Sequence, residues 1–443
     1  MQIQELIDAK DSGRLARLVQ TYSNCDGNDF TALQSAFAAI FENRVPEISL
    51  EPRSERDHVI LASIRQLLSA CEFVNGRIKI TIAPRTIQCD ASNGCLSAPF
   101  GNSPIEWFNI IINNAIIKTH KCCIVSSIKN EGPWLIEWIA HYKALGVDEI
   151  IIYFNDSDDG SVELLRRLAD ANQIVAVQNI VSVDVSPQRQ AFAHALASLR
   201  LAYSAEWVAF IDVDEFLVAD EPLNDIDAMI QSVCISGKHR IDCIAINWDW
   251  FADSDQFDWE DGLVVDRFTA AFNHFMKKCI FRPEAATSVY EIHYPTLVEG
   301  ARAVDSLGGE IVDLKVNCPA KELPPLRLNH YFAKSFKEFT LKKLRGRGAR
   351  AFGKELRNFD SFMWASVGTE ERPMNKVIRE KLEAEVEKLS AIAGVAELNC
   401  GAVEKAHAKL VEMEKEINLR KIYEEVKRSD SNARALSKLN ARA

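Results

Sequence analysis

An apolar run beginning at Trp207 ends abruptly in acids, reading Ala209-Phe210-Ile211-Asp212-Val213-Asp214-Glu215-Phe216. A continuous apolar run bounded by charge reads as a buried strand of an α/β sheet, and ligands bind outside the carboxyl ends of such strands. On a regular strand Asp212 and Asp214, two positions apart, would point to the same face. Both can therefore face one pocket at the strand's end, a place where a cation and a phosphorylated ligand would sit. Oxygen donors suit Mg2+ or Mn2+. Asp-x-Asp alone arises often by chance, but three acids within four positions directly after a buried strand are costly unless they bind something.

Upstream the same strand-then-acid pattern recurs. Cys122 to Ile128 is a short apolar strand, followed by Lys129-Asn130-Glu131-Gly132-Pro133 and a helix. Pro133 fits the first helical position, and Trp134, Leu135, Trp138, Ile139, Tyr142 and Leu145 form one apolar face closed by Gly146. A strand from Val147 to Phe154 runs into Asn155-Asp156-Ser157-Asp158-Asp159-Gly160-Ser161. Next come a helix with Val162, Leu165 and Leu168 inward, a strand near Ile174 to Ile180, and a helix from Pro187 to Tyr203 that leads into the Asp212 strand. Strands alternating with helices predict βαβ units and a mostly parallel sheet. Strand ends on one edge of such a sheet are neighbours, so Glu131, Asp156, Asp158, Asp159, Asp212 and Asp214 are expected to converge. Taken singly each acid would more often be a helix cap or a solvated turn, and Asp159 and Ser161 are good N-cap candidates.

Beyond the acids, Arg240 to Asn247 alternates like a strand and is followed by Trp248-Asp249-Trp250-Phe251. Aromatics exposed beside acids suit a sugar, and burial of both indoles in a core is an equal alternative. Basic residues follow at Lys277, Lys278 and Arg282, with His293 beyond. Later, Asn329-His330-Tyr331 and Lys334-Ser335 lead to Lys342, Lys343, Arg345 and Arg347. In an acidic chain a basic cluster beside a histidine needs a local anion, and a diphosphate next to a divalent cation meets both demands.

The chain has 443 residues, a net charge of -11 and 47% hydrophobic residues. That length exceeds one compact core. The expected division is an accessory region at 1–119, helical and then strand and turn, a central domain at 120–350, and a helical region at 351–443. In the last of these Val403, Ala406, Leu410, Met413 and Ile417 suggest helices packing on the body or on a partner subunit as a homo-oligomer. No overall basic field exists to neutralise nucleic-acid phosphates. The polar, acidic first residues do not read as a signal peptide, and no window reaches the roughly 18 apolar residues of a membrane span. The 11 cysteines, with no Cys-x-x-Cys, read as reduced thiols, which points to the cytoplasm.

Lys129-Asn130-Glu131, Glu137-Trp138-Ile139-Ala140-His141-Tyr142, Leu145-Gly146-Val147, the 155–161 stretch, Asp212-Val213-Asp214-Glu215-Phe216 and Asn329-His330-Tyr331 with Lys334-Ser335 form an ordered series. Together they resemble the glycosyltransferase family 2 group with a GT-A fold, a Rossmann-like and mostly parallel sheet. The resemblance is to its bacterial branch related to glycosyltransferase family 92, over residues 121 to 350. It implies an inverting, hexosyltransferase-like enzyme that uses a nucleotide-diphosphate sugar donor, a divalent cation (Mn2+ or Mg2+) and a glycan or other hydroxyl acceptor. By the same resemblance Glu131 and Asp156 contact the nucleoside, Asp212 the ribose or metal, Asp214 and His330 the metal, and Lys334 the diphosphate, with Asp158 among the donor-binding acids. The catalytic base has no matching motif, which leaves Asp249, Asp253 and Asp255 as candidates. Two other readings compete: a haloacid-dehalogenase-like phosphatase, which also places Asp-x-Asp after a strand, and a catalytically degenerate scaffold.

Overall fold

The structure is a computed structural model that describes residues 3–428 apart from 99, 182–183, 236–239, 290, 317–323, 347, 349–358, 360–361 and 363–369. Arg347 of the predicted basic stretch and much of 351–443 therefore lie outside the described residues.

Helices α1 (Ile3–Asp8), α2 (Ser12–Tyr22), α3 (Gly27–Phe41) and α4 (Glu55–Ala70) are followed by a β1–β2 ribbon (Glu72–Val74, Arg77–Lys79), β3 (Thr86–Cys89) and α5 (Pro104–Asn114). The regular alternation follows as β4 (His120–Ile128), α6 (Gly132–Ala144), β5 (Glu149–Phe154), α7 (Ser161–Asp170), β6 (Val175–Asn179), α8 (Pro187–His194) and β7 (Ala205–Phe210). Strands β6, β5, β4 and β7 lie side by side and parallel, as the alternation predicts. The predicted accessory region is not merely laid against them, because β3 pairs in parallel with β6 and becomes part of the same sheet. The helix predicted from Pro187 to Tyr203 is broken: α8 ends at His194 and passes through a π turn and a 3-10 turn before β7.

Beyond β7 come β8 (Glu215–Ala219), α9 (Ile226–Cys234), β9 (Cys243–Phe251), the single turn α10 (Val264–Arg267) and β10 (Ala270–Phe281). The sheet continues with β10 antiparallel to both β7 and β9. A small ribbon pairs β11 (Ala286–Ser288) with β12 (Thr296–Leu297), and β13 (Ala303–Asp305) and β14 (Glu310–Ile311) extend the sheet edge. Strand β15 (Leu326–His330) bridges β8 and β9, and β16 (Glu370–Glu371) adds to β10. Helices α11 (Phe336–Leu344), α12 (Lys376–Ser390) and α13 (Val395–Glu416) follow.

Alternate side chains of the central strands enter two cores, as a sheet covered on both faces requires. Cys122 and Ile124 pack with α6, α7, α9 and α12, whereas Cys123 and Val125 pack with the N-terminal helices, α5 and α8. The C-terminal helices thus pack on the body: α12 lies along α6, and α13 crosses α6 and α7. The inward face of α13 is Val395, Ala402, Ala406 and Leu410, one residue off the predicted stripe at its start, with Ile417 exposed. Close approach there needs Gly132, since a Cβ on it would stand 2.8 Å from the Ala402 Cβ.

Glu137 on α6 fastens the connection between β9 and β10 by accepting the backbone N–H groups of Val264 and Val265 at 2.8 and 3.1 Å, the N-terminus of α10. Burial pushes its carboxyl from the ordinary 4.5 up to about 7 despite those donors and Arg267. The folded state therefore holds a proton that the unfolded chain has lost, so this contribution to stability is complete below pH 4.5 and is lost as pH rises through about 7. Glu137→Gln should flatten stability against pH across that window in chemical denaturation. Parallel pH profiles for variant and parent would contradict it.

Candidate active site at the carboxyl edge of the sheet

Strand β7 stops at Phe210, and Asp212 to Asp214 form the turn into β8. Helix α6 holds that turn with the polar tips of its aromatic face. The Trp138 indole N–H is 3.0 Å from the carbonyls of Asp212 and Glu215, and the Tyr142 hydroxyl donates to Glu215 O at 3.0 Å. These side chains are fully buried, so each bond satisfies a carbonyl that water does not reach.

Each acid of the motif meets a cation or an amide. Asp212 accepts from the Gln188 amide at 2.6 Å and from Lys278 Nζ at 3.1 Å. The same Lys278, 1% exposed, lies 3.7 Å from Glu215 Oε2, and that oxygen also accepts the Asp212 backbone N–H at 2.8 Å. Burial drives the Glu215 carboxyl well above the usual range against the pull of Lys278, and its Oε1 has no hydrogen-bond partner. Asp214 is paired on one oxygen with Lys342, and its other oxygen lies 3.5 Å from His330 Nε2. Burial opposes its charge, yet Lys342 and His330 outweigh burial and hold the carboxyl well below the ordinary range. His330 is itself shifted down by burial, against the pull of Asp214, and so is neutral near pH 7. It is enclosed by Trp248 and Trp250 at ring distances of 4.3 and 5.0 Å, with Nδ1 lacking a partner.

Around this centre, Glu131 at the start of α6 pairs with Arg345, beyond the end of α11. Lys334, 4% exposed and with φ of 54° in the left-handed region, lies 4.4 Å over the Trp134 ring and forms no ion pair among the described residues. Asp158 reaches Lys409 of α13 at 3.4 Å, and Asp156 is exposed at the end of β5. Asp159 is structural, accepting from Gly132 N at 2.7 Å and Ser161 N at 3.0 Å at the starts of α6 and α7. A cavity of 560 Å³ between Asn130, Trp134, Asp158, Arg345, Lys405 and Lys409 adjoins these groups.

The acids after β9 are arranged differently. Trp248 and Trp250 are part of β9 rather than beyond its end; Trp248 is 6% exposed, so the buried alternative holds for it. Asp249 pairs in register with Asn329 while Trp250 pairs with His330, so strand alternation turns Asp249 to the opposite face from His330. There it is clamped by Arg372 and by Arg327 at 3.3 Å. Asp253 is buried against Lys427 at 2.8 Å, and Asp255 meets the same ammonium at 2.8 Å while 88% of its side chain stays exposed. Asp249 is thus turned away from His330 and ion-paired, and Asp253 is sealed against Lys427.

Asp214 and His330 offer one oxygen and one nitrogen side by side, donors that suit Mn2+ or Mg2+. Among the described residues no three His, Cys, Asp or Glu form a metal-holding group. Ions of this kind commonly take one or two carboxylates and complete their shell with water and substrate phosphates, so a two-donor site fits such an ion.

Acids and cations are thus gathered at the carboxyl edge of a mixed α/β sheet, the edge at which such sheets bind ligands. The glycosyltransferase family 92 model matches residues 118–349, more than half of the sequence, and the chain belongs to that family. Among curated proteins, a family 92 protein of Ricinus communis is 30% identical over 201 residues, covering 44% of this chain and 35% of the relative. One from Arabidopsis thaliana is 30% identical over 193 residues, covering 41% and 32%. The matched part thus spans about a third of those relatives, which are plant proteins rather than bacterial ones. Among solved structures, glucosyl-3-phosphoglycerate synthase of Mycobacterium tuberculosis with Mn2+, UDP and phosphoglyceric acid is similar at 21% identity and TM-score 0.21, covering 29% of this chain and 44% of that one. S. aureus TarS 1-349 is similar at 11% identity and TM-score 0.23, covering 62% and 72%. The family assignment displaces the phosphatase reading.

Because Asp214 and Lys342 are buried together, Asp214→Ala does more than remove a ligand; it strands an ammonium. The single variant should lose about 3–5 kcal/mol, the cost of breaking a buried pair. Asp214→Ala with Lys342→Met should regain most of that loss in urea denaturation. A double variant no more stable than the single one would show that the pair does not govern this part of the fold.

Proposed function

We propose that this chain is a metal-dependent, inverting glycosyltransferase that moves a sugar from a nucleotide-diphosphate donor to a hydroxyl acceptor. The observation that carries the reading is Lys334, a buried ammonium held over Trp134 with no carboxylate partner among the described residues. Glu137, Asp214 and Glu338 feel its charge without pairing with it, and an anionic ligand would supply the close partner that a buried ammonium needs. The left-handed backbone at Lys334 is a local cost of the kind that collects at ligand clamps.

In this reading Glu131, Asp156 and Asp158 line the nucleoside side, Asp212 binds the ribose or approaches the cation, and Lys334 binds the diphosphate. A divalent cation on Asp214 and His330 would neutralise charge on the departing diphosphate. Lys342, already on Asp214, keeps that carboxylate ionised, and the neutral His330 keeps a nitrogen lone pair available. Of the candidate bases, Asp255 presents an exposed carboxylate, and we assign it the acceptor proton. The acceptor oxygen then forms its bond to the anomeric carbon as the bond to the diphosphate breaks on the opposite face, which inverts the configuration. Asp255→Asn should lower turnover while leaving donor affinity intact.

Isothermal titration with UDP- and GDP-sugars in the presence of Mn2+ tests the reading. At least one should bind, and Lys334→Ala should weaken it by about 1–3 kcal/mol, the range of a charge-assisted hydrogen bond. Equal affinity in variant and parent would remove Lys334 from the site, and no binding of any nucleotide sugar by the parent would overturn the function.

A further inference from the structure

We infer that the seam between the N-terminal helices and the family domain holds a second ligand site, and that it takes a small uncharged molecule with an apolar body and one hydrogen-bond donor. That is the chemistry of a phenol or an aliphatic alcohol.

The site is a cavity of about 500 Å³, within the range of small-molecule pockets and far larger than a bridging water needs. Helices α4 and α5 line it from the N-terminal side with Ile60 and Ile110. The rest of the wall comes from the end of α8, the turns after it and β11, all inside the family match. Ala193, Ala197 and Ala286 lie on that part, and side chains so short leave the volume open where longer ones would fill it. The cavity shares no lining residue with the one beside Trp134.

Charge on the wall is already spent. Arg56 pairs with Glu106 at 2.5 Å and gives its Nη1 to the carbonyls of Leu96 and Ala98 at 2.8 and 3.0 Å. Glu106 also accepts the Gly101 backbone N–H at 3.1 Å. Arg200 is fully buried nearby in sequence but does not line the cavity, and Asn109 Oδ1, Ser63 Oγ and Ser198 O occupy its guanidinium at 2.6 to 3.1 Å. A charged ligand would enter without a free counter-charge on the wall, whereas an uncharged one avoids that cost.

One polar atom remains unspent. Asn113 of α5 is 2% exposed, and its Nδ2 faces Leu196 O at 3.5 Å. Burial raises the Tyr203 hydroxyl and Asn113 pulls it the other way, as an amide N–H facing a phenol oxygen does. The Asn113 Oδ1 has no partner among the described residues, and no other lining residue leaves a fully enclosed side-chain polar atom in that state. An enclosed acceptor without a donor is destabilising, and a ligand O–H would remove that cost. The backbone at this wall is irregular as well: α8 gives way to the π turn Ala195–Leu199 and then to Arg200 with φ of 56°, in the left-handed region. π turns are frequent at functional sites, and the donor side makes no use of this one.

Isothermal titration and saturation-transfer NMR on the full chain test the site with three probes of one ring size: phenol, fluorobenzene, which lacks the donor, and benzoate, which carries charge. Phenol should bind about three- to tenfold tighter than fluorobenzene, the size of one neutral hydrogen bond, and tighter than benzoate. Asn113→Leu should bring phenol to the level of fluorobenzene. Ala193→Trp should fill the cavity and abolish binding of both, with Ala197→Phe in its place if that variant does not fold. A parent that binds no phenol, or binds phenol and fluorobenzene equally, overturns the inference. Tighter binding of benzoate overturns the uncharged class, and phenol binding retained in a folded cavity-filling variant overturns the site.

Discussion

Compensation of the acids at the end of β7 is the constraint on which this site depends. Asp212, Asp214 and Glu215 follow one another within a turn that is largely closed to water, and carboxylates in that setting cannot all ionise alone. The fold answers with Lys278 from β10 and Lys342 from α11, one ammonium for each side of the motif. Glu215 takes the remaining burden by favouring its protonated form. Strand β7, the antiparallel β10 and the helix after β15 are thereby fixed to one point by charge as well as by packing.

That arrangement also explains the division of labour among the helices. The aromatic face of α6 would serve as ordinary core, but its indole and phenol tips are spent on the carbonyls of the motif turn. Its first turn carries Glu131 and Trp134, which meet Arg345 and Lys334 from the far end of the domain. A single helix thus sets the acid turn, the Glu131–Arg345 pair and Lys334 relative to one another. The C-terminal helix α13 packs across its N-terminus through Ala402 and supplies Lys405 and Lys409 to the neighbouring cavity.

The alternating strands and helices were legible because each strand is a buried apolar run and each run ends in charge. The partners of Asp212 and Asp214 were not: Lys342 is 128 residues beyond Asp214 and Lys278 is 66 beyond Asp212, so only the bare presence of basic stretches hinted at them. Trp248 to Phe251 misled because β9 continues through them, and their burial depends on β15, which arrives from 80 residues later in the sequence. Asp249 reads as an available base until register turns it away from His330 and Arg372 closes on it.

If the cation site has two protein donors and is completed by substrate, metal and nucleotide must bind together. Titration of Mn2+ followed by electron paramagnetic resonance, with and without UDP, measures this directly. The account predicts weak Mn2+ binding to the protein alone, where Lys342 already occupies Asp214, and binding at least about tenfold tighter with UDP present, the effect of added phosphate ligands. Equal Mn2+ affinity in the two titrations, or binding unaffected by loss of the Asp214 carboxylate, would contradict it.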